Sequence, residues 1–359
     1  MEHTMDRLSA FDEAEYLAAN PDVVHAIEIG VVASGKEHYE RHGRLEGRPL
    51  RTRRGKLRGG LDVSRMTGLE IGALDSPTVG KHEGDVIFVD YADRDFLRHR
   101  YRDDPHVHLD QIVEVDAIWG ENTLRDAVGG DRRVDYVLAS HVAEHVPDLI
   151  TWLNEIHSVL NPGGSVRLVV PDKRYTFDYL RAETRLHDIL DAYIRRARTP
   201  LPRAILDFCM LARVVDARAA WRGELDVETL PRMSFEQDAI SSARDAYENG
   251  SYHDVHCWVF TPASFVDLMQ EVGRLGLVRL RCEEIVSTEY CQAEFFVVMA
   301  PSDDPDEIAA SWTQASEMLR TEPVADVSPP PVATEQIGGR AAASVLAKAL
   351  LRRLRAVGG

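Results

Sequence analysis

The chemistry this sequence could perform is concentrated at three strand ends and two histidine-bearing segments. The run Leu69-Glu70-Ile71-Gly72-Ala73 ends an apolar stretch on glycine. A backbone without a Cβ there lets a ligand approach closely at the carboxyl edge of a parallel sheet. A second apolar run, residues 86–89, ends in Asp90, an acceptor suited to ribose hydroxyls. A third ends in Val115-Asp116-Ala117 and is able to meet an adenine. Each signal alone is generic to nucleotide-binding α/β proteins.

The segment His141-Val142-Ala143-Glu144-His145 matches H-x-x-E-H, in which histidines at i and i+4 on a helix could share a metal. It directly follows a buried apolar run, and the reading preferred here has Glu144 and His145 order the start of the next helix. In SYHDVHCWVF, His253, Asp254, His256 and Trp258 precede another helix. Three roles stay open for them: a structural histidine pair, a general base or substrate ligand, and a divalent metal site, which is the least favoured. Lys173, Arg174, Tyr175 and Asp178 follow the fifth apolar run and are either a solvated helix start or part of the reaction edge.

Strands alternating with helices must position these residues. GLEIGA, DVIFVD, IVEVDA, VDYVLAS and SVRLVVPD are β-branched and apolar, separated in several places by polar segments of helix length. Strands buried on both faces have this composition, which predicts a doubly wound, mostly parallel sheet. Thr261-Pro262 starts a helix, and residues 278–286 and 293–300 predict two closing antiparallel strands. The expected organisation is a small helical module with a basic linker over 1–58 and an α/β domain over 59–300. A helical insertion over 173–252 interrupts that domain. A Pro-rich linker over 301–336 and a basic amphipathic helix over 337–359 follow.

A net charge of −17 over 359 residues argues against a basic field for nucleic acid. The four cysteines form no CxxC pair, and no apolar run approaches the roughly 20 residues of a membrane span. The N-terminus lacks a basic and an apolar signal region, so the expected location is cytoplasmic. The C-terminal segment, with Lys348, Arg352 and Arg355 opposite Leu346, Leu350 and Leu354, offers a contact to the inner membrane face or to a partner.

Residues 134–148, the Leu-x-Pro-Gly-Gly turn ending at Gly164, and residues 166–170 resemble the fourth and fifth motifs of class I S-adenosylmethionine (SAM)-dependent methyltransferases. LEIGA with the following Ser76-Pro77, DYVLASHVAEHVPDLITWLNEI, VVPDKRYTFDYLR and DVHCWVFTPASF are together similar to a bacterial subgroup of the methyltransferase-11-like family. The resemblance implies a Rossmann-like seven-stranded sheet and SAM as co-substrate. Carried over by motif, Glu70, Gly72 and Ala73 line its methionine end, Asp90 its ribose, Asp116 and Ala117 its adenine. Ser140 and His141 then sit beside the sulfonium. The family's G-x-G-x-G is reduced here to Gly72-Ala73-Leu74-Asp75-Ser76.

The implied reaction is methylation of a hydroxyl oxygen, which benefits from a base. His256 is the first candidate for that base and His141 the second; a bound metal is not favoured. Residues 11–23 and 38–48 resemble a small module of bacterial glycan-biosynthesis enzymes, which implies a sugar acceptor, free or nucleotide-linked, and glycan-assembly partners. The alternatives are a small-molecule O-methyltransferase and a catalytically silent scaffold. A nicotinamide oxidoreductase would want G-x-G-x-x-G, which is absent.

Overall fold

The computed structural model describes residues 10–120, 122–234 and 236–321. Seven strands form one sheet: β1 (Thr67–Ile71), β2 (Asp85–Asp90), β3 (Ala117–Ile118), β4 (Val134–Ser140), β5 (Leu160–Pro171), β6 (Leu280–Val286) and β7 (Glu294–Pro301). Their order is β3-β2-β1-β4-β5-β7-β6, parallel from β3 to β5, with β7 antiparallel to both β5 and β6. This is the expected Rossmann-like, doubly wound, mostly parallel sheet. The strand order reverses between β1 and β4, so the carboxyl ends of those strands and of β2 frame the crevice in which such sheets bind ligands.

β4 and β5 are apolar and buried over nearly their whole length because helices cover both faces. The Leu149–Val159 helix buries six apolar residues against the sheet, among them Trp152 and Ile156. Its N-cap is Asp148, whose side chain accepts from the Thr151 amide. Glu144 and His145 therefore do not start this helix, as expected from sequence; they lie in a separate 3-10 turn, Ala143–His145.

Two other expectations are corrected. Residues 112–116 do not pair as a strand, because the Asp116 side chain occupies the ladder: its Oδ2 accepts from the Phe88 amide at 2.7 Å. Only Ala117 and Ile118 pair with β2. Within the expected Pro-rich linker, Pro305–Thr321 is a helix docked on the Pro262–Arg274 helix and β6. The buried indole of Trp312 drives that docking and donates to the Leu280 carbonyl at 2.9 Å. Gly273 permits it, since a Cβ there would lie 2.8 Å from Ile308 Cγ2. The expected basic C-terminal helix lies outside the described residues.

The basic stretch expected to be a linker is also structured. Arg53–Arg58 forms a helix whose Leu57 packs with Val169 and Phe296. Arg167 on β5 donates to the Leu57 and Gly59 carbonyls at 3.0 and 2.6 Å. Ahead of it, short helices at Glu13–Ala19, Pro21–Glu28 and Gly35–His38 gather Phe11, Tyr16, His38 and Tyr39 into one ring cluster. Among the described residues no helix is long and apolar enough to cross a membrane.

Candidate active site

The loop after β1 is built from its own backbone. Gly72 takes φ +69°, and a Cβ there would meet Val142 Cγ2 at 2.9 Å, so this loop presses on the turn after β4. The residue at the family's second glycine position, Leu74, adopts φ +48° despite its side chain. The loop thus keeps a left-handed path with one glycine, at a steric cost that only its surroundings sustain.

Glu70 explains part of that constraint. Its buried carboxylate accepts from the Thr78 amide at 2.7 Å and the Val79 amide at 3.2 Å, and burial raises its pKa against those bonds. It ties the loop that follows β1 back onto the strand end. Ala73 is buried in the same turn.

Asp90 ends β2 at the crevice. One oxygen accepts from the Tyr91 amide at 2.8 Å; among the described residues no partner for the other is present. Burial pushes this carboxyl up to about 6. Such a group gains from hydroxyl donors, as the ribose assignment requires. Ala117 is buried beside it in register with Val89. Asp116 Oδ2 accepts from Lys81 at 2.6 Å as well as from the Phe88 amide, which fixes the residue at the sheet edge next to Ala117.

The end of β4 carries the densest chemistry. The Ser140 hydroxyl is buried without a hydrogen-bond partner. His141 follows at φ +54°, its amide donating to the Val169 carbonyl. Its ring lies between two carboxylates, Nδ1 3.3 Å from Glu144 Oε1 and Nε2 2.7 Å from Glu294 Oε2. Burial works to lower the His141 pKa, but Glu144 and Glu294 outweigh it and push it up to about 9. Burial likewise works against the charges of Glu144 and Glu294, yet His141 holds both carboxyls below their ordinary value. Arg53, from the helix before β1, reaches Glu294 Oε1 at 3.0 Å and closes this chain of charges.

Glu144 is fully buried, and neither of its oxygens accepts a hydrogen bond. The Nε2 atoms of His145 and His256 each stand 4.0 Å from its Oε1. His145 Nδ1 is 2.9 Å from Asp254 Oδ1, and His256 Nδ1 is 2.6 Å from Asp178 Oδ2. Asp178 is itself clasped by buried Arg181, which also bonds Asp207 and the His256 carbonyl. Burial works to raise the Asp178 pKa, but His256 and Arg181 hold it down near 2. Burial lowers that of His256.

The two candidate bases sit in different surroundings. His256 is 3% exposed, walled by Phe177 and His145, with Nδ1 bonded to Asp178 and Nε2 turned toward Glu144. Both ring nitrogens of His141 face carboxylates, while His256 commits Nδ1 to Asp178 and keeps Nε2 4.0 Å from Glu144 Oε1, too far for a hydrogen bond. His253 is not the partner of His256: it bonds Asp245 in the insertion. Nor is Asp178 on a solvated helix start, being 1% exposed. Lys173 donates to the Tyr179 carbonyl, Arg174 pairs with buried Asp172, and Tyr175 stacks on Trp221 at 4.0 Å.

The helices between Leu186 and Asn249 hold this arrangement in place. Phe177, Ile205, Phe208, Met233, Ala239 and Val255 form a separate apolar cluster that backs His256. Tyr252, where the insertion ends, stacks on Tyr91 beside Asp90. A cavity of about 310 Å³ lies on the other side of residues 257–259, lined by Arg181, Asp188, Arg203, Asp207 and Trp258. None of the expected SAM contacts lines it, so the crevice at the strand ends remains the better ligand site. Sequence inspection missed Glu294 and Arg181. Glu294 lies in no motif, and Arg181, although it ends the VVPDKRYTFDYLR segment, carries no sign there of its bond to the His256 carbonyl 75 residues on.

The sheet order and the crevice between β1, β2 and β4 define a class I SAM-dependent methyltransferase domain. A family model for this methyltransferase domain matches residues 85–274, more than half of the chain, and the chain belongs to that family. No curated relative matches the sequence. Among solved structures, the CurJ carbon methyltransferase is 13% identical over 68% of this chain and 50% of its own, with a TM-score of 0.33. The CcbJ methyltransferase from Streptomyces caelestis is 17% identical over 34% of this chain and 52% of its own, with a TM-score of 0.24. A SAM-dependent methyltransferase from Clostridium acetobutylicum ATCC 824 is 8% identical over 66% and 84%, with a TM-score of 0.33. The chain spans about half the length of the first two. At such scores the fold rests on the strand order itself.

Proposed function

We propose that the protein transfers the methyl group of SAM to a hydroxyl oxygen, and that the acceptor is a sugar hydroxyl of a bacterial surface glycan or its precursor. One observation carries the first half. The uncommitted Asp90 oxygen, the left-handed Gly72 turn and the unpartnered Ser140 hydroxyl line one crevice edge. In this reading Asp90 binds the ribose, the Gly72-Ala73 turn passes the methionine end, and Ala117 flanks the adenine. Ser140 and His141 sit beside the sulfonium.

The acceptor oxygen attacks the methyl carbon, the carbon–sulfur bond breaks, and the sulfonium becomes the neutral thioether of S-adenosylhomocysteine. The sulfonium is already activated, so alignment and exclusion of water are the main tasks. The hydroxyl proton passes to a histidine ring nitrogen, His256 Nε2 being the first candidate and His141 the second. A polar, proton-accepting surround of this kind favours an oxygen acceptor.

The sugar assignment is supported by the long insertion, suited to orienting an acceptor with several hydroxyls, and by the resemblance of the N-terminal segment to a module of bacterial glycan enzymes. Partners in glycan assembly, and contact with the anionic inner membrane face through the basic C-terminus, belong to the same proposal. Labelled SAM offered with nucleotide sugars, glycan fragments and small phenols tests it. Transfer to sugars alone is the expected result; transfer to phenols alone favours a small-molecule enzyme. Absence of SAM binding leaves a silent scaffold. In a deletion strain, unchanged O-methyl sugar content would reject the glycan assignment.

A further inference from the structure

The cluster beneath the β4 turn contains more than the methyl-transfer reading uses. We propose that Glu144, His145 and His256 bind one divalent transition-metal cation, of the zinc type. Each contributes one ligand atom, and these atoms all lie within 4.8 Å of one another. Both Nε2 atoms face the same carboxylate oxygen from 4.0 Å. Zinc bonds of about 2.0–2.1 Å to nitrogen and oxygen place tetrahedral ligand atoms roughly 3.3 Å apart, so the 4.0 Å pairs must close by about 0.7 Å and no pair by more than about 1.5 Å.

Burial argues for a cation in the gap. Glu144 is fully buried and no hydrogen bond reaches either oxygen. A ring N–H aimed at an oxygen 4.0 Å away makes no hydrogen bond, so protons on His145 and His256 do not satisfy it. Only His141 Nδ1 comes closer, at 3.3 Å, and it meets one oxygen. That oxygen, Oε1, is the one both Nε2 atoms face, and among the described residues neither oxygen accepts a hydrogen bond, so the buried carboxylate still lacks a bonded partner.

The surroundings point the same way. Asp178 faces His256 Nδ1 at 2.6 Å, and Asp254 faces His145 Nδ1 at 2.9 Å. A carboxylate on the outer nitrogen sets the tautomer that turns the Nε2 lone pair inward and makes the imidazole a stronger ligand. Arg181 holds Asp178 in place. Two histidines so arranged toward one buried glutamate form a built donor set rather than a surface accident. Three protein ligands leave a fourth position open, as catalytic zinc sites do. On the methyl-transfer reading that position would hold an acceptor hydroxyl oxygen and ease loss of its proton.

The full chain, stripped with chelator and dialysed, is titrated with zinc, and separately with cobalt to read the visible bands of a tetrahedral ion. One ion per chain is expected, with the cobalt bands displaced by zinc. Glu144→Gln and His145→Ala should abolish stoichiometric uptake, and Asp254→Asn should weaken it by roughly 10–100-fold. Circular dichroism and thermal melting establish that each variant is folded; Asp254→Asn, outside the donor set, keeps the test decisive where a ligand variant unfolds. Uptake without SAM binding upholds the site and rejects only the methyl-transfer reading. SAM binding without uptake, or uptake unchanged in folded Glu144→Gln and Asp254→Asn, overturns the metal site.

Discussion

Burial pushes the Asp90 carboxyl up to about 6, so at neutral pH its charge sits at the crevice with one oxygen short of donors. Ribose hydroxyls would supply them. Asp90→Ala should weaken SAM binding by about 1–3 kcal/mol, the cost of leaving buried hydroxyls unpaired. Calorimetry checks this, and unchanged affinity removes Asp90 from the ribose site. The pH dependence has a definite sign. Binding needs the ionised carboxylate, so affinity should fall below about pH 6 by up to about tenfold per unit. Asp90→Asn should flatten that profile. For the free protein the folded pKa lies above the ordinary 3.8, so the folded state holds more protons between about pH 4 and 6. The residue's contribution to stability therefore declines as pH rises through that window.

At the scale of elements, the insertion acts as a clamp on His256. Its apolar cluster backs the ring, and Arg181 ties Asp178, Asp207 and the His256 carbonyl into one buried node. Arg181→Met removes the guanidinium that ties this node and leaves Asp178 buried without that cation. Breaking a buried pair in this way typically costs about 3–5 kcal/mol. Denaturant unfolding should show a loss of that order; a change below about 1 kcal/mol would mean the node relaxes or takes in water. Helix against helix, the tight spot is Gly273, where Ile308 leaves no room for a methyl. Gly273→Ala should cost about 1–3 kcal/mol through overpacking, measurable as a lowered melting temperature.

Across the whole molecule, the Arg53–Arg58 helix joins the N-terminal unit to the domain. Leu57 fills a cluster with Val169 and Phe296, Lys56 pairs with Glu289, and Arg54 donates to the Thr78 carbonyl beside the Glu70 loop. Arg53 reaches Glu294 and through it His141. The helix is thus part of the support of the crevice, although sequence composition presents it as a basic linker. Leu57→Ala should destabilise the entire chain by about 2–5 kcal/mol in urea unfolding, as for other buried leucines. If instead the N-terminal unit merely undocks, the main transition keeps its midpoint and a separate early transition appears.

The amino-acid sequence by itself determined the sheet, the turns at its carboxyl edge and the family. Alternating apolar strands and helices, a glycine at 72, an acid at 90 and the His141–His145 segment are local patterns, and local patterns are what periodicity and spacing encode. It also marked both histidine segments as chemical. What it could not decide is which side chains meet. His145 and His256 lie 111 positions apart, and His141 finds Glu294 across 153. Their roles follow from burial and convergence: a carboxylate closed off from water with no donor, two rings turned toward it, and acids behind both rings. Asp116 makes the same point, since nothing at its motif position showed that the fold uses its oxygen to complete the β2 ladder. Composition likewise could not show that residues 53–58 and 305–321 pack on the sheet. Whether an amphipathic segment docks depends on the complementary apolar surface presented by strands far away in the chain, and that surface exists only once the sheet has formed.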